Sequence, residues 1–145
     1  EIILAGRRMN DGMGKMVANE VMSLMTKKRI PVVDSNILIM GLTFKENCPD
    51  LRNTRVVDVI RELEEFHCNI DVYDPWIDKE ESQGEYGITP VNAPEQGRYD
   101  AVILAVSHKQ FKAMGVAAIR KLGKESHILY DIKYIFPAEQ VDGRL

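Results

Sequence analysis

At 145 residues the chain has the length of one ordinary domain, enough to bury roughly two thirds of the surface of its unfolded form. Its hydrophobic share of 45% and charged share of 28% are those of a soluble globular protein, and no run approaches the roughly 20 apolar residues of a membrane span. The formal net charge of -3 excludes a general pull toward nucleic acid or anionic lipid, so an anionic ligand has to be held by a few local cations.

The chain opens on Glu1-Ile2-Ile3-Leu4, without Met or a basic-then-apolar leader, and is expected to be part of a longer, unexported protein. Over residues 10–28, Met13, Met16, Val17, Val21, Leu24 and Met25 fall at helical spacing. They predict an amphipathic helix of about five turns, capped by Asn10 or Asp11 and closed by Lys27-Lys28-Arg29-Ile30-Pro31. Its methionine-rich stripe needs a cover, either the rest of this chain or a second chain. Next comes Asn36-Ile37-Leu38-Ile39-Met40-Gly41, a continuous apolar run closed by glycine, which reads as a strand buried on both faces. Val56, Val57, Ile60 and Leu63 predict a helix over 54–65, and Cys68-Asn69-Ile70-Asp71-Val72-Tyr73 a second strand ended by Asp74-Pro75. The unit is βαβ, so both strands end on the same edge of a parallel sheet. Residues 76–98 are polar and rich in Gly, Pro and Glu, with a short strand suggested only at 87–91. A buried strand over 101–106, a helix over 111–122 and a strand over 127–131 complete the pattern. The expected architecture is a helical segment, 1–33, followed by a doubly wound α/β domain, 34–145.

Open parallel sheets bind ligands at the carboxyl ends of their strands, which directs attention to the loops after Met40, Tyr73, Val106 and Tyr130. The first is the richest, Gly41-Leu42-Thr43-Phe44-Lys45-Glu46-Asn47-Cys48-Pro49-Asp50-Leu51-Arg52-Asn53-Thr54. The positive pole of a helix at Asn53 and Thr54 favours a phosphate, to which Lys45 would add a point charge and Arg52 a forked donor. Solvated surface charge is the equal alternative for both cations. A single glycine, Gly41, makes neither G-x-G-x-x-G nor a Walker loop.

Phe44-Lys45 followed by Asp50-x-Arg52-x-Thr54 resembles the F-K-x-x-x-x-D-x-R-x-S signature that opens the C-terminal domain of UDP-glucose and GDP-mannose dehydrogenases. The likeness continues through Tyr73-Asp74-Pro75, Val106-x-His108-x-x-Phe111 and a preceding Gly6-Arg7-Arg8-x-Asn10-Asp11, so it covers nearly the whole chain. Within the family it is similar to the branch that oxidises UDP-N-acetylhexosamines for Vi-type polysaccharide synthesis. The resemblance implies an enzyme with an NAD-binding Rossmann domain, a long central helix and a Rossmann-like domain that holds UDP, of which this chain corresponds to the last two. It implies that the Phe44 backbone and the Lys45 ammonium contact the UDP-sugar substrate, and that Lys133 does so where the glucose enzymes carry Arg. It implies further that Arg52 reaches the pyrophosphate of the cofactor NAD, while Asp50 shapes the loop. Thr54 replaces the family's Ser and keeps a hydroxyl for the helix start. A homodimer through the central helices is implied, with Arg7 or Arg8 near a neighbouring site; a solvated helix start is the equal alternative.

The family's thioester-forming cysteine, in a Gly-Gly-x-Cys stretch, has no counterpart here, so the chain is expected to carry no catalytic residue and to be inactive alone. Cys48 reads as a loop side chain and Cys68 as core, and without CxxC pairing both suit a reduced, cytoplasmic protein. His67, His108 and His127 have no metal-ligand spacing, although His108 follows a strand and could edge a cleft. Asp74 reads either as the ribose-binding acid of dinucleotide folds or as a turn former beside Pro75, and Trp76 as a stacking or a packing ring. Two rivals remain. One is a stand-alone nucleotide-binding regulatory domain. The other is a receiver-like signalling module, opposed by Gly41-Leu42-Thr43 standing where receivers need an acidic pair.

Overall fold

The computed structural model describes the backbone of residues 2–145 and the side chains from residue 12 onward. Helix α1 (Ile2–Lys27) is longer than its apolar stripe predicts. Asn10 and Asp11 lie inside it, which corrects the expected cap: once nucleated, a helix propagates through weak formers. Arg7 and Arg8 fall outside the residues whose side chains are described.

Beyond α1 come β1 (Asn36–Met40), α2 (Val56–Glu65), β2 (Asn69–Tyr73), α3 (Lys79–Tyr86), β3 (Tyr99–Leu104), α4 (Lys109–Arg120), β4 (Gly123–Asp131) and β5 (Gly143–Arg144). The strands form one sheet in the order β2-β1-β3-β4-β5, every pair parallel. The side-chain period of two divides the core into layers. Ile37, Ile39, Ala101, Ile103, Ile128 and Tyr130 meet α1 and α2 on one face. Leu38, Met40, Val102, Leu104 and Leu129 meet Phe111 and Ile119 of α4 on the other. Helices on both faces make the sheet doubly wound, as expected.

The stripe of α1 is covered by this same chain: Val17, Ala18, Val21 and Met25 are fully buried in the core of the first face. At Gly14 the helix touches α2 backbone to backbone, because a Cβ there would lie 2.8 Å from the carbonyl carbon of Asp58. Met16 points elsewhere and stays 45% exposed. No described helix is long and apolar enough to cross a membrane.

Residues 76–98 depart most from expectation. They contain α3, whose ends are local: the Asp78 side chain accepts the N–H of Glu80, and Gly87 closes the helix in the left-handed region at φ 68. The expected strand at 87–91 is absent. A backbone bond from the Val91 N–H to the Val72 carbonyl meets β2 there without starting a ladder, and Pro90 has no N–H to offer. Smaller differences are a break in α4 at Gly115, a register shift between β3 and β4, and the unforeseen two-residue β5.

Candidate functional site

The strand order reverses between β1 and β3, and the carboxyl ends of these neighbours are drawn close. Gly41 leaves β1 at φ 102, and a Cβ on it would lie 2.6 Å from the Cβ of Val106, so only glycine fits. The Met40 carbonyl accepts the Ala105 N–H at 2.9 Å, and the Gly41 N–H donates to the Tyr73 carbonyl at 2.9 Å. Above this edge opens a cleft of about 490 Å³, walled by the 41–54 loop, the amino end of α2, the turn after β3 and the turn after β4.

Phe44, Lys45, Thr54 and Lys133 all line that cleft, together with Asn53 and Val106. Phe44 is 55% exposed and donates its N–H to the Asp50 carbonyl at 2.7 Å, which ties the loop across itself. The buried Thr54 accepts the N–H of Val56 on its hydroxyl at 3.3 Å, holding the first turn of α2, which begins two residues later than its pattern predicts. Lys133 is placed by Asp131, whose buried carboxylate takes the N–H of Lys133 on one oxygen and that of Phe136 on the other.

Arg52 does not converge with Lys45. It stands outside the cleft wall, 80% exposed, with Nε and Nη2 donating to the two oxygens of Asp50 at 3.1 Å each. The hydrogen bonds from the Arg52 guanidinium and N–H hold the Asp50 carboxyl below its usual range, and Asp50 in turn raises Arg52. The expected pairing of two loop cations is therefore replaced by one loop lysine and one lysine from the turn after β4. A local carboxylate two residues away captures the guanidinium before it can reach inward.

Two residues that pattern reading left open carry the loop. Asp74 is buried, and its Oδ2 accepts the N–H groups of Leu42 at 2.7 Å and Thr43 at 3.2 Å, while Oδ1 accepts the Trp76 N–H at 2.8 Å. With its oxygens spent on backbone donors, it is the turn former and not a ribose-binding acid. The same occupancy removes the receiver-like reading, which needs an accessible acidic group. His108 does not edge the cleft; it is fully buried behind the loop, with Nε2 2.9 Å from Asp74 Oδ2. Their sequence signals were a place just after a strand and membership of Tyr73-Asp74-Pro75 and Val106-x-His108-x-x-Phe111. Trp76 packs, with Nε1 donating to Gln110 at 2.9 Å and Lys109 over its ring. Cys48 is half-buried in the loop, and Cys68 is core, its thiol pushed up by burial. Among the described residues no cluster of three or more His, Cys, Asp or Glu is gathered that could hold a metal.

The profile of the UDP-glucose/GDP-mannose dehydrogenase family, UDP binding domain, matches residues 38–138. Over all 145 residues the chain is 57% identical to the UDP-N-acetyl-D-glucosamine 6-dehydrogenase of Pseudomonas aeruginosa and 56% identical to that of Salmonella typhi. In each case it spans 34% of the relative's length. The solved NDP-N-acetyl-D-galactosaminuronic acid dehydrogenase of Methanosarcina mazei Go1 shares the fold, with a TM-score of 0.83 over 97% of this chain and 29% of its own, at 16% identity. A parallel α/β sheet, a cleft at its switch point and the Phe44-Lys45 loop thus coincide with the matched segment, and the chain belongs to the UDP-glucose/GDP-mannose dehydrogenase family, as its UDP binding domain.

Proposed function

We propose that the cleft holds the UDP portion of a UDP-N-acetylhexosamine, within an NAD-dependent enzyme that oxidises the C6 alcohol of the sugar to a carboxylate. The carrying observation is that Lys45 and Lys133 line one cleft into which the amino end of α2 opens. Two ammonium groups and a positive helix pole suit a diphosphate, and Phe44 and Val106 provide apolar wall for the rest of the ligand. Because the Phe44 N–H is committed to Asp50, its backbone contact to substrate falls to the carbonyl. Asp50 and Thr54 shape the loop, through the bonds to Phe44 and Arg52 and to the start of α2.

Arg52, held at the surface on Asp50, is the group that reaches NAD bound on another domain, exchanging a carboxylate for pyrophosphate oxygens. Bound NAD would supply the hydride acceptor for the oxidation at C6, and this chain contributes binding and orientation. Residues 1–33 act as the end of a central helix and 34–145 as the UDP-sugar domain. The working protein is a cytoplasmic homodimer in surface polysaccharide synthesis, with Arg7 and Arg8 near the subunit boundary. Since the sequence holds no Gly-Gly-x-Cys stretch, the chain alone binds without turnover.

Calorimetric titration tests the reading. UDP should bind weakly, more tightly than ADP, and less tightly as salt rises. Lys45→Met and Lys133→Met should each weaken UDP about tenfold, the value of a charge-assisted contact. Equal affinity for UDP and ADP, or indifference to both substitutions, would overturn it.

A further inference from the structure

We infer that His108 is a positioning residue: in its Nε2–H tautomer, braced by Asp74, it holds residues 42–47 in the shape that presents Phe44 and Lys45 to a nucleoside diphosphate. The inference rests on the reading of the cleft given above and adds a residue that the ligand does not touch.

The tautomer follows from donors and acceptors. The N–H of Asn47 points at His108 Nδ1 from 3.0 Å, and a backbone N–H can only donate, so Nδ1 carries a lone pair. The ring proton is then on Nε2, which faces Asp74 Oδ2 at 2.9 Å and Thr43 Oγ1 at 3.2 Å. The Thr43 hydroxyl gives its own proton to the Lys45 carbonyl at 2.9 Å and so meets the histidine as an acceptor. The single Nε2 proton is shared between two acceptors, Asp74 Oδ2 and Thr43 Oγ1, and the Thr43 hydroxyl carries the link on to the backbone of Lys45.

The far side of the segment is fastened as well. Asn47 sits in the left-handed region at φ 55, and its Oδ1 accepts the N–H of Lys109 at 2.8 Å. Leu42 and Thr43 are pinned by Asp74, Asn47 by His108 and Lys109, while Phe44, Lys45 and Glu46 turn outward. His108 stands at the N-cap of α4 yet makes no capping bond with its side chain; that side chain serves the loop. Phe111 meets the ring edge-on at 5.4 Å and 63°, and Trp76 lies 6.1 Å away, which fixes the ring plane.

Three variants and one spectrum test this on the 145-residue chain. Long-range nitrogen-proton correlation in the unsubstituted protein should show a protonated Nε2 and a bare Nδ1, with the Asn47 amide slow to exchange. His108→Leu, checked for its fold by circular dichroism, should bind UDP about tenfold more weakly, because two buried partners lose their bonds. His108→Asn, which brings an acceptor to where Nδ1 stood, should recover most of the loss, and His108→Gln, which reaches only toward Asp74, should recover less. A protonated Nδ1, a folded Leu variant with undiminished affinity, or Gln recovering as well as Asn would overturn the inference. Should the Leu variant not fold, the Asn and Gln order and the tautomer decide. If the unsubstituted chain ignores UDP, the cleft reading fails, while the tautomer and Asn47 exchange still report whether the brace exists.

Discussion

Two carboxylates serve the 41–54 loop, one beneath it and one on its rim. Asp74 lies buried under the loop, with oxygens taken by the backbone of Leu42, Thr43 and Trp76 and by His108. Asp50 lies at the surface and holds Arg52 by a fork, with the guanidinium 80% exposed. Each pairs an acid with a nitrogen base over about 3 Å, yet water divides their roles. Under the loop, a charge out of water is tolerable only where every lone pair is filled, so the cluster becomes scaffold. On the rim, water and salt can replace the partner at little cost, so the guanidinium stays available to a ligand.

The largest test of that contrast is Asp74→Ala. It leaves three backbone N–H groups without their acceptor and removes the nearer acceptor of the His108 Nε2–H, and should cost about 3–5 kcal/mol in urea denaturation, since each donor deprived of a charged partner costs about 1–3 kcal/mol. A loss under about 1 kcal/mol would remove the distinction between scaffold and rim. Gly41→Ala asks whether the scaffold also depends on backbone fit. A Cβ 2.6 Å from Val106 at φ 102 should cost about 1–3 kcal/mol, read as a lower urea midpoint with unchanged slope.

A third carboxylate sharpens the comparison by standing between the two. Burial pushes Asp142 up, but the Arg120 guanidinium, the Leu129 N–H and the Lys28 ammonium outweigh it and hold the carboxyl below its ordinary value. A carboxyl lowered in the folded state contributes stability above its unfolded pKa and loses it as pH falls through the folded one. Thermal scans should therefore show the chain weakening below about pH 4, and Asp142→Asn should flatten that limb while lowering stability at neutral pH. The smallest effect belongs to Arg52→Ala, which should leave the urea midpoint unmoved. A clear drop there would make the rim fork structural after all.

What could be read from the sequence followed apolar patterning. The central strands β1 and β3 were legible as short continuous apolar runs, as strands buried on both faces must be, and the stripe of α1 as apolar residues at helical spacing. Helix α3 was not, since it buries only Ser82 and is defined by Asp78 and Gly87 at its ends. The two residues of β5 have no pattern apart from the β4 edge they join. At the site, Lys45 and Lys133 were placed by strand ends and by a family signature, and both line the cleft. That Arg52 would sit forked on Asp50 and apart from Lys45 was not legible, because spacing along a loop does not say which way a side chain turns. His108 and Asp74 were quoted as motif residues, but a hydrogen-bond path joining three loops is a property of the folded edge alone.

The close approach at Gly14 sets how near α1 lies to α2. A Cβ there would meet the Cβ and the carbonyl carbon of Asp58 at 2.7 and 2.8 Å, so any larger residue would push α1 and the first turn of α2 apart. Met13 and Val56, one from each helix, both stand in the wall of the cleft. The width of that wall thus depends on the lack of a side chain at Gly14.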